Sequence, residues 1–253
     1  MDRQALITRF EAEMSKITRP GVDKLMDYIR KSDFYIAPAS TKYHLACEGG
    51  LLQHSLNVLD ALRGLLDQTD DKEYSWIVAG RMTDIIPAES VTVAALLHDI
   101  CKTYFYTTST RNVKNENTGR WEKVPFYTVD DKMPLGHGSK SAMIVKQYME
   151  LTTPEMYAIW HHMGFTGDRE NNTAVGVAFE KYPLALALHM ADVIASRIME
   201  ANAGNKPLFL QADPEPESVG EHADNPATEA PPTQDPAPAE ADWQEAPPLQ
   251  EGA

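Results

Sequence analysis

The chain has 253 residues, a formal net charge of -14 and two cysteines, Cys47 and Cys101. That length accommodates one medium domain or two small ones, and two cysteines without zinc-ligand spacing exclude a disulfide framework or a zinc-finger scaffold. The charge excludes less than its size suggests: residues 211–253 hold 11 Asp and Glu and no Lys or Arg, leaving 26 acids against 23 bases in residues 1–210.

Residues 3–17 carry Leu6, Ile7, Phe10, Met14 and Ile17 at spacings of one, three and four, which predicts an amphipathic helix closed by Pro20-Gly21. The N-terminus has charges throughout and no apolar run, unlike a signal peptide, and no segment approaches the ~20 apolar residues of a membrane span. A cytoplasmic setting is therefore expected. "GVDKLMDYIRKS" reads as a second helix and "FYIAPAS" as an irregular connection, with Ser40 a candidate N-cap. "GGLLQHSLNVLDALRGLLDQ" has leucines on a helical period. "AESVTVAALLHDICKTYFY" is apolar almost all round, which predicts a central buried helix carrying His98 and Asp99.

The pattern then changes. "YFYTTSTRNVKNENTGRWEKVPFYTVDD" is rich in Tyr, Thr and Val around an Asn-Thr-Gly turn, which predicts a β-hairpin inserted at about 104–130. Helical patterns resume at "GSKSAMIVKQYMEL", "TPEMYAIWHHM" and "YPLALALHMADVIASRIMEAN", two of them with proline near the helix start. Ten of the 17 prolines lie after Lys206. The acidic Pro/Ala-rich stretch that contains them cannot bury enough apolar surface to offset the entropy of ordering it, so 206–253 reads as a disordered tail. The expected fold class is mainly α: one domain over 1–205 with a hairpin insertion.

Seven of the eight histidines fall within residues 44–189. A lone histidine on an apolar helix is usually a hydrogen-bonded core residue, and this reading stands for each taken singly. Taken together they are harder to dismiss. His54, His98, His137, the His161-His162 pair and His189 all sit on or at the ends of predicted helices, and Asp99 and Asp192 lie in strongly apolar ones. Buried carboxylates are costly unless they are paired or bind a metal. A divalent cation would resolve all these costs at once.

The ordered set His54, His98-Asp99 and Asp192, within "APASTKYHLACEGGLLQHSLNVL", "LLHDICK", "GHGSKSAMI" and "YPLALALHMAD", resembles the HD superfamily of metal-dependent phosphohydrolases. It is similar to the HD domain of the branch that trims RNA 3′ ends, over roughly residues 33–200. The resemblance implies an HD-type helical bundle. It also implies that His54, His98, Asp99 and Asp192 hold one metal, and that Asp99 bridges to a second held by His137 and either His162, which precedes Met-Gly as in some relatives, or His161. Lys102 matches the family lysine placed to meet a substrate phosphate; a solvated helix-end cation is the plain alternative. Asp99 and Lys102 are thus the catalytic candidates. His189 is a candidate partner that orients a ligand, and His44 and Lys140 are candidate pocket residues.

Imidazole and carboxylate donors do not distinguish manganese, iron, nickel, cobalt, magnesium and zinc, of which two ions are expected. The expected reaction is hydrolysis of a phosphoester, in a nucleotide or at a nucleic-acid end. Two alternatives stand beside it: a single-strand 3′ exonuclease and a non-catalytic scaffold that keeps the fold. The hairpin aromatics, with Arg111, Lys114, Arg120 and Lys123, suit a single-strand surface, but a hairpin packed on the helices explains them equally well. No membrane partner is expected, and the composition specifies no protein partner.

Overall fold

The computed structural model describes residues 2–66, 86–115 and 118–201. The expected tail, including His222, lies outside the described residues. Helices α1 (Arg3–Met14), α2 (Val22–Lys31), α3 (Gly50–Leu66) and α4 (Ala88–Leu97) lead to a short 3-10 turn at Ile100–Lys102. The hairpin follows as β1 (Tyr106–Lys114) and β2 (Trp121–Val129), then α5 (His137–Lys146), α6 (Thr153–His161), α7 (Arg169–Lys181) and α8 (Pro183–Ile194). A π-helical turn, Ala195–Met199, continues α8. Among the described residues the fold is mainly helical, with one two-stranded antiparallel sheet.

Helix α4 is the axis of the bundle. Every residue from Ser90 to Leu97 is buried, and the helix packs against α1, α3, α6 and α8. A truncation such as Leu96→Ala would remove a side chain with no exposed surface, a change that costs roughly 2–5 kcal/mol. Gly21 adopts φ 93° at the entry to α2, where a Cβ would stand 1.9 Å from the Tyr148 carbonyl oxygen. Only glycine combines that dihedral with that approach.

The buried helix expected over 88–106 is shorter than its apolar pattern suggests. It ends at Leu97, and Asp99 takes φ -108° and ψ 14°, outside helical geometry. Asp99 therefore lies at a helix break and not inside a helix. Ser40 does not cap a helix either: its hydroxyl accepts from the Tyr43 N–H and donates to the His44 carbonyl, closing a local turn. Helix α7 is an element that the apolar pattern does not reveal, because only Val175 and Ala178 of its 13 residues are buried.

The hairpin spans nine paired positions, from Tyr106 opposite Val129 to Lys114 opposite Trp121. It does not pack on the helices as an ordinary hairpin would. Its strands are exposed over most of their length, and Trp121 is 70% exposed. The Asp130 N–H donating to the Phe105 carbonyl closes its base, and the Tyr106 hydroxyl donating to the Ala39 carbonyl ties that base to the segment before α3.

Candidate metal centre

Two helix ends converge on one point. His98 caps the C-terminus of α4 and His162 that of α6. Each ring turns back on its own helix: Nδ1 lies 2.8 Å from the Ala95 carbonyl oxygen in one and 2.7 Å from that of Ile159 in the other. The last carbonyls of a helix lack intrahelical donors, so both nitrogens are fixed as N–H donors. Both Nε2 lone pairs are thereby turned toward the interior.

His54 reaches the same point from the second turn of α3. Its Nδ1 is 2.9 Å from Glu200 Oε1, and its Nε2 lies 3.3 Å from His98 Nε2 and 3.2 Å from Asp192 Oδ1. His137, the first residue of α5, brings Nε2 to 2.7 Å from Asp99 Oδ1, with its Nδ1 3.2 Å from Cys101 Sγ. Asp99 is the hub. Oδ1 is also 3.5 Å from His162 Nε2, while Oδ2 is 3.5 Å from the Nε2 atoms of His54 and His98. In a 3-10 turn, side chains three residues apart eclipse one another. The helix break thus sets Lys102 over Asp99, and Lys102 Nζ lies 2.6 Å from Oδ2.

The electrostatics favour a cation. Burial pushes the Asp99 carboxyl up, but Lys102, His98 and His137 prevail and hold it well below the usual carboxylate range. For Asp192, too, burial is outweighed by His54, and the carboxyl is lowered. Burial alone would lower His54, yet the carboxylates of Asp192 and Glu200 lift it to about 10. His98 shows the reverse outcome, because burial there prevails and lowers the imidazole. Lys102 keeps its charge: the Asp99 carboxylate outweighs burial and raises it. Three carboxylates face the Lys102 ammonium and the His54 imidazolium, a surplus of negative charge that a divalent cation displacing the His54 proton would neutralise.

The donors fit such an ion. His162 Nε2 is buried and has no hydrogen-bond partner among the described residues, an arrangement that costs roughly 1–3 kcal/mol unless something accepts its lone pair. Open donor atoms of His54, His98 and Asp99 lie within 4.8 Å of one another, as do those of His98, His162 and Asp192, and those of Asp99, Cys101 and His137. Imidazoles whose second nitrogen is anchored to a carbonyl or carboxylate are the usual form of histidine ligands.

The other expected residues are placed differently. His161 is not brought to the cluster; its ring lies against Tyr157 and Trp160, with centroids 5.9 and 6.0 Å away. His189 acts through the backbone, its Nδ1 donating to the His162 carbonyl at 2.7 Å. His44 stands 4.9 Å from the His54 ring and is lowered to about 4 by burial. Lys140 pairs with Asp131 at 2.5 Å and lies over the Phe105 ring.

Glu200 and Cys101 are members of this neighbourhood that the motif pattern did not single out. In an ideal α-helix, residues eight apart are offset by about 80°, which would turn Glu200 away from Asp192. The π turn has more residues per revolution, with the Glu200 N–H bonded to the Ala195 carbonyl. It rotates Glu200 back toward the face of Asp192. A glutamate ending a long apolar run was the available signal, but its register could not be read without the π turn.

The model of the HD domain family matches residues 51–177, which is half of the chain. The protein belongs to the HD domain family, a family of metal-dependent phosphohydrolases. No curated protein matches it, and no solved structure does. Among the described residues no helix is long and apolar enough to cross a membrane.

Proposed function

We propose that the chain hydrolyses a phosphoester bond, in a nucleotide or at a nucleic-acid end, with His54, His98, Asp99, His137, His162 and Asp192 as ligands of one or two divalent cations. The observation that carries this reading is the convergence of imidazole Nε2 atoms and carboxylates around Asp99, with the Nδ1 atoms of His54, His98 and His162 already anchored. Bound cations would supply polarisation of a phosphoryl oxygen and acidification of water. The chain supplies the rest. Glu200 and two main-chain carbonyls hold the rings in register, and the buried walls exclude bulk solvent. Lys102, on the rim of Asp99, places a positive charge where charge builds on a phosphoryl group. A cytoplasmic setting and a single domain over 1–205 belong to the same proposal.

Manganese-dependent hydrolysis of bis-p-nitrophenyl phosphate, with metal content measured in parallel, tests it. The wild type should turn over, and Asp99→Ala should lose at least about a thousandfold in rate together with most of its metal. A wild type that binds no metal and shows no turnover would overturn the enzyme reading in favour of a scaffold.

A second reading, a single-strand exonuclease of the 3′-end-trimming kind, is favoured by the hairpin. By register, Tyr106, Tyr127, Trp121, Lys123 and Lys114 share one face, and that face carries no carboxylate among its described residues. Aromatic platforms interleaved with cations suit single strands. Binding of a short oligonucleotide that weakens steeply with salt, and that weakens further in Trp121→Ala, would support this reading.

A further inference from the structure

A cavity of about 280 Å³ adjoins the cluster on the far side of His137. Its floor is the N-terminus of α5: Gly136, His137, Gly138 and Ser139 all line it. The N-cap is Gly136, which has no side chain to accept a hydrogen bond, and no acidic residue occupies the first turn. The amides of His137, Gly138 and Ser139 therefore stay without an intrahelical acceptor. Gly138 lets α5 approach α6 closely, since a Cβ there would stand 2.0 Å from the Trp160 carbonyl oxygen. The lining holds an independent feature. His161 lines the same cavity, is only 6% exposed, and makes no hydrogen bond through its ring among the described residues. No lining residue is Asp, Glu, Lys or Arg.

An imidazole without a hydrogen-bond partner and helix amides without an intrahelical acceptor thus line one cavity. The helix dipole favours negative charge there, and the absence of a carboxylate leaves nothing to repel it. We propose that this cavity binds a second phosphate of the substrate, beyond the one that is hydrolysed. His137 belongs to both: its side chain meets Asp99, and the residue lines the cavity. The substrate class is then a molecule with at least two phosphate groups, either a small bisphosphate or a strand with consecutive phosphates. This assignment rests on the phosphohydrolase reading for its substrate but not for the anion site itself.

The probe is inorganic phosphate, titrated into the ¹⁵N-labelled full chain with magnesium present while amide shifts are followed residue by residue. The Gly138 and Ser139 amides should move saturably. Ser139→Asp places a carboxylate among the amides and should weaken the response about tenfold, while melting no lower than the wild type because the acid complements the helix end. His161→Phe keeps the ring's volume and removes its donor, and should weaken the response severalfold. Shifts that never saturate at these amides, or that survive Ser139→Asp unchanged, would overturn the site. The readout needs no turnover, so an inactive protein that still binds phosphate here would sink the phosphohydrolase reading alone. An active one without the amide response would sink the anion site alone.

Discussion

Glu155 and Asp99 are both buried carboxylates near helix ends of the same domain, yet their partners differ. Glu155 ends up with arginine: Arg19 clasps it through two nitrogens at 2.6 and 2.8 Å, while Thr152 completes a capping box. Glu13 is held in the same way by Arg63, at 3.0 and 2.6 Å. Asp99, Asp192 and Glu200 instead face mainly imidazoles. Guanidinium keeps its proton under all ordinary conditions, so an arginine pair is permanent and closed. Imidazole can surrender its proton and present a lone pair, so a histidine-lined carboxylate can exchange a proton for a metal. The arginine pairs fasten the bundle, and the histidine cluster is built to receive a cation.

Each side of this contrast can be tested, the largest effect first. Glu155→Gln leaves Arg19, mostly buried, with Glu89 at 3.4 Å as its remaining anion, and should lower unfolding stability by about 3 kcal/mol, the low end for a broken buried pair, in urea titrations. Manganese-dependent turnover per folded molecule should stay at the wild-type level. Glu200→Gln should do the opposite, weakening metal affinity roughly 10–100-fold by calorimetry with little change in the urea midpoint of the chelated protein. In His162→Leu an unpartnered buried nitrogen is replaced by hydrocarbon. The Ile159 carbonyl loses its Nδ1 donor in exchange, so the chelated form should stay within about 1 kcal/mol of the chelated wild type, although it binds metal less tightly.

The smallest effect is read in acid. Arg63 outweighs burial and holds Glu13 at about 2, against an ordinary 4.5. A carboxyl lowered on folding contributes its stability above its unfolded value, and loses it as pH falls toward the folded one. Between about pH 4.5 and 2 the wild type should lose on the order of 1 kcal/mol from this pair, solvent screening included. Glu13→Gln should flatten that limb of the stability profile.

The periodic parts of the fold were legible in the sequence. Apolar spacing marks α1 to α6 and α8, and β-rich composition marks the hairpin. What it could not supply was local geometry. The run through Val91 to Ile100 gives no hint that the helix breaks at Asp99, because every residue there is buried whether or not the backbone is helical. Helix α7 buries too little apolar surface to leave a stripe. The histidines that converge were legible as a set, through their order along the chain. Glu200 was not, because a π turn decides which way it faces. Sequence order also could not separate His161 from His162: the two are adjacent, and only the end of α6 turns one ring to the cluster and the other to the cavity.

X-ray absorption on the zinc-loaded full chain tests the central claim most directly. The account predicts nitrogen and oxygen neighbours near ~2.0–2.1 Å with outer-shell scattering from several imidazoles, reduced in His162→Ala. Bound zinc without imidazole scattering, or a spectrum unchanged in His162→Ala, would contradict it.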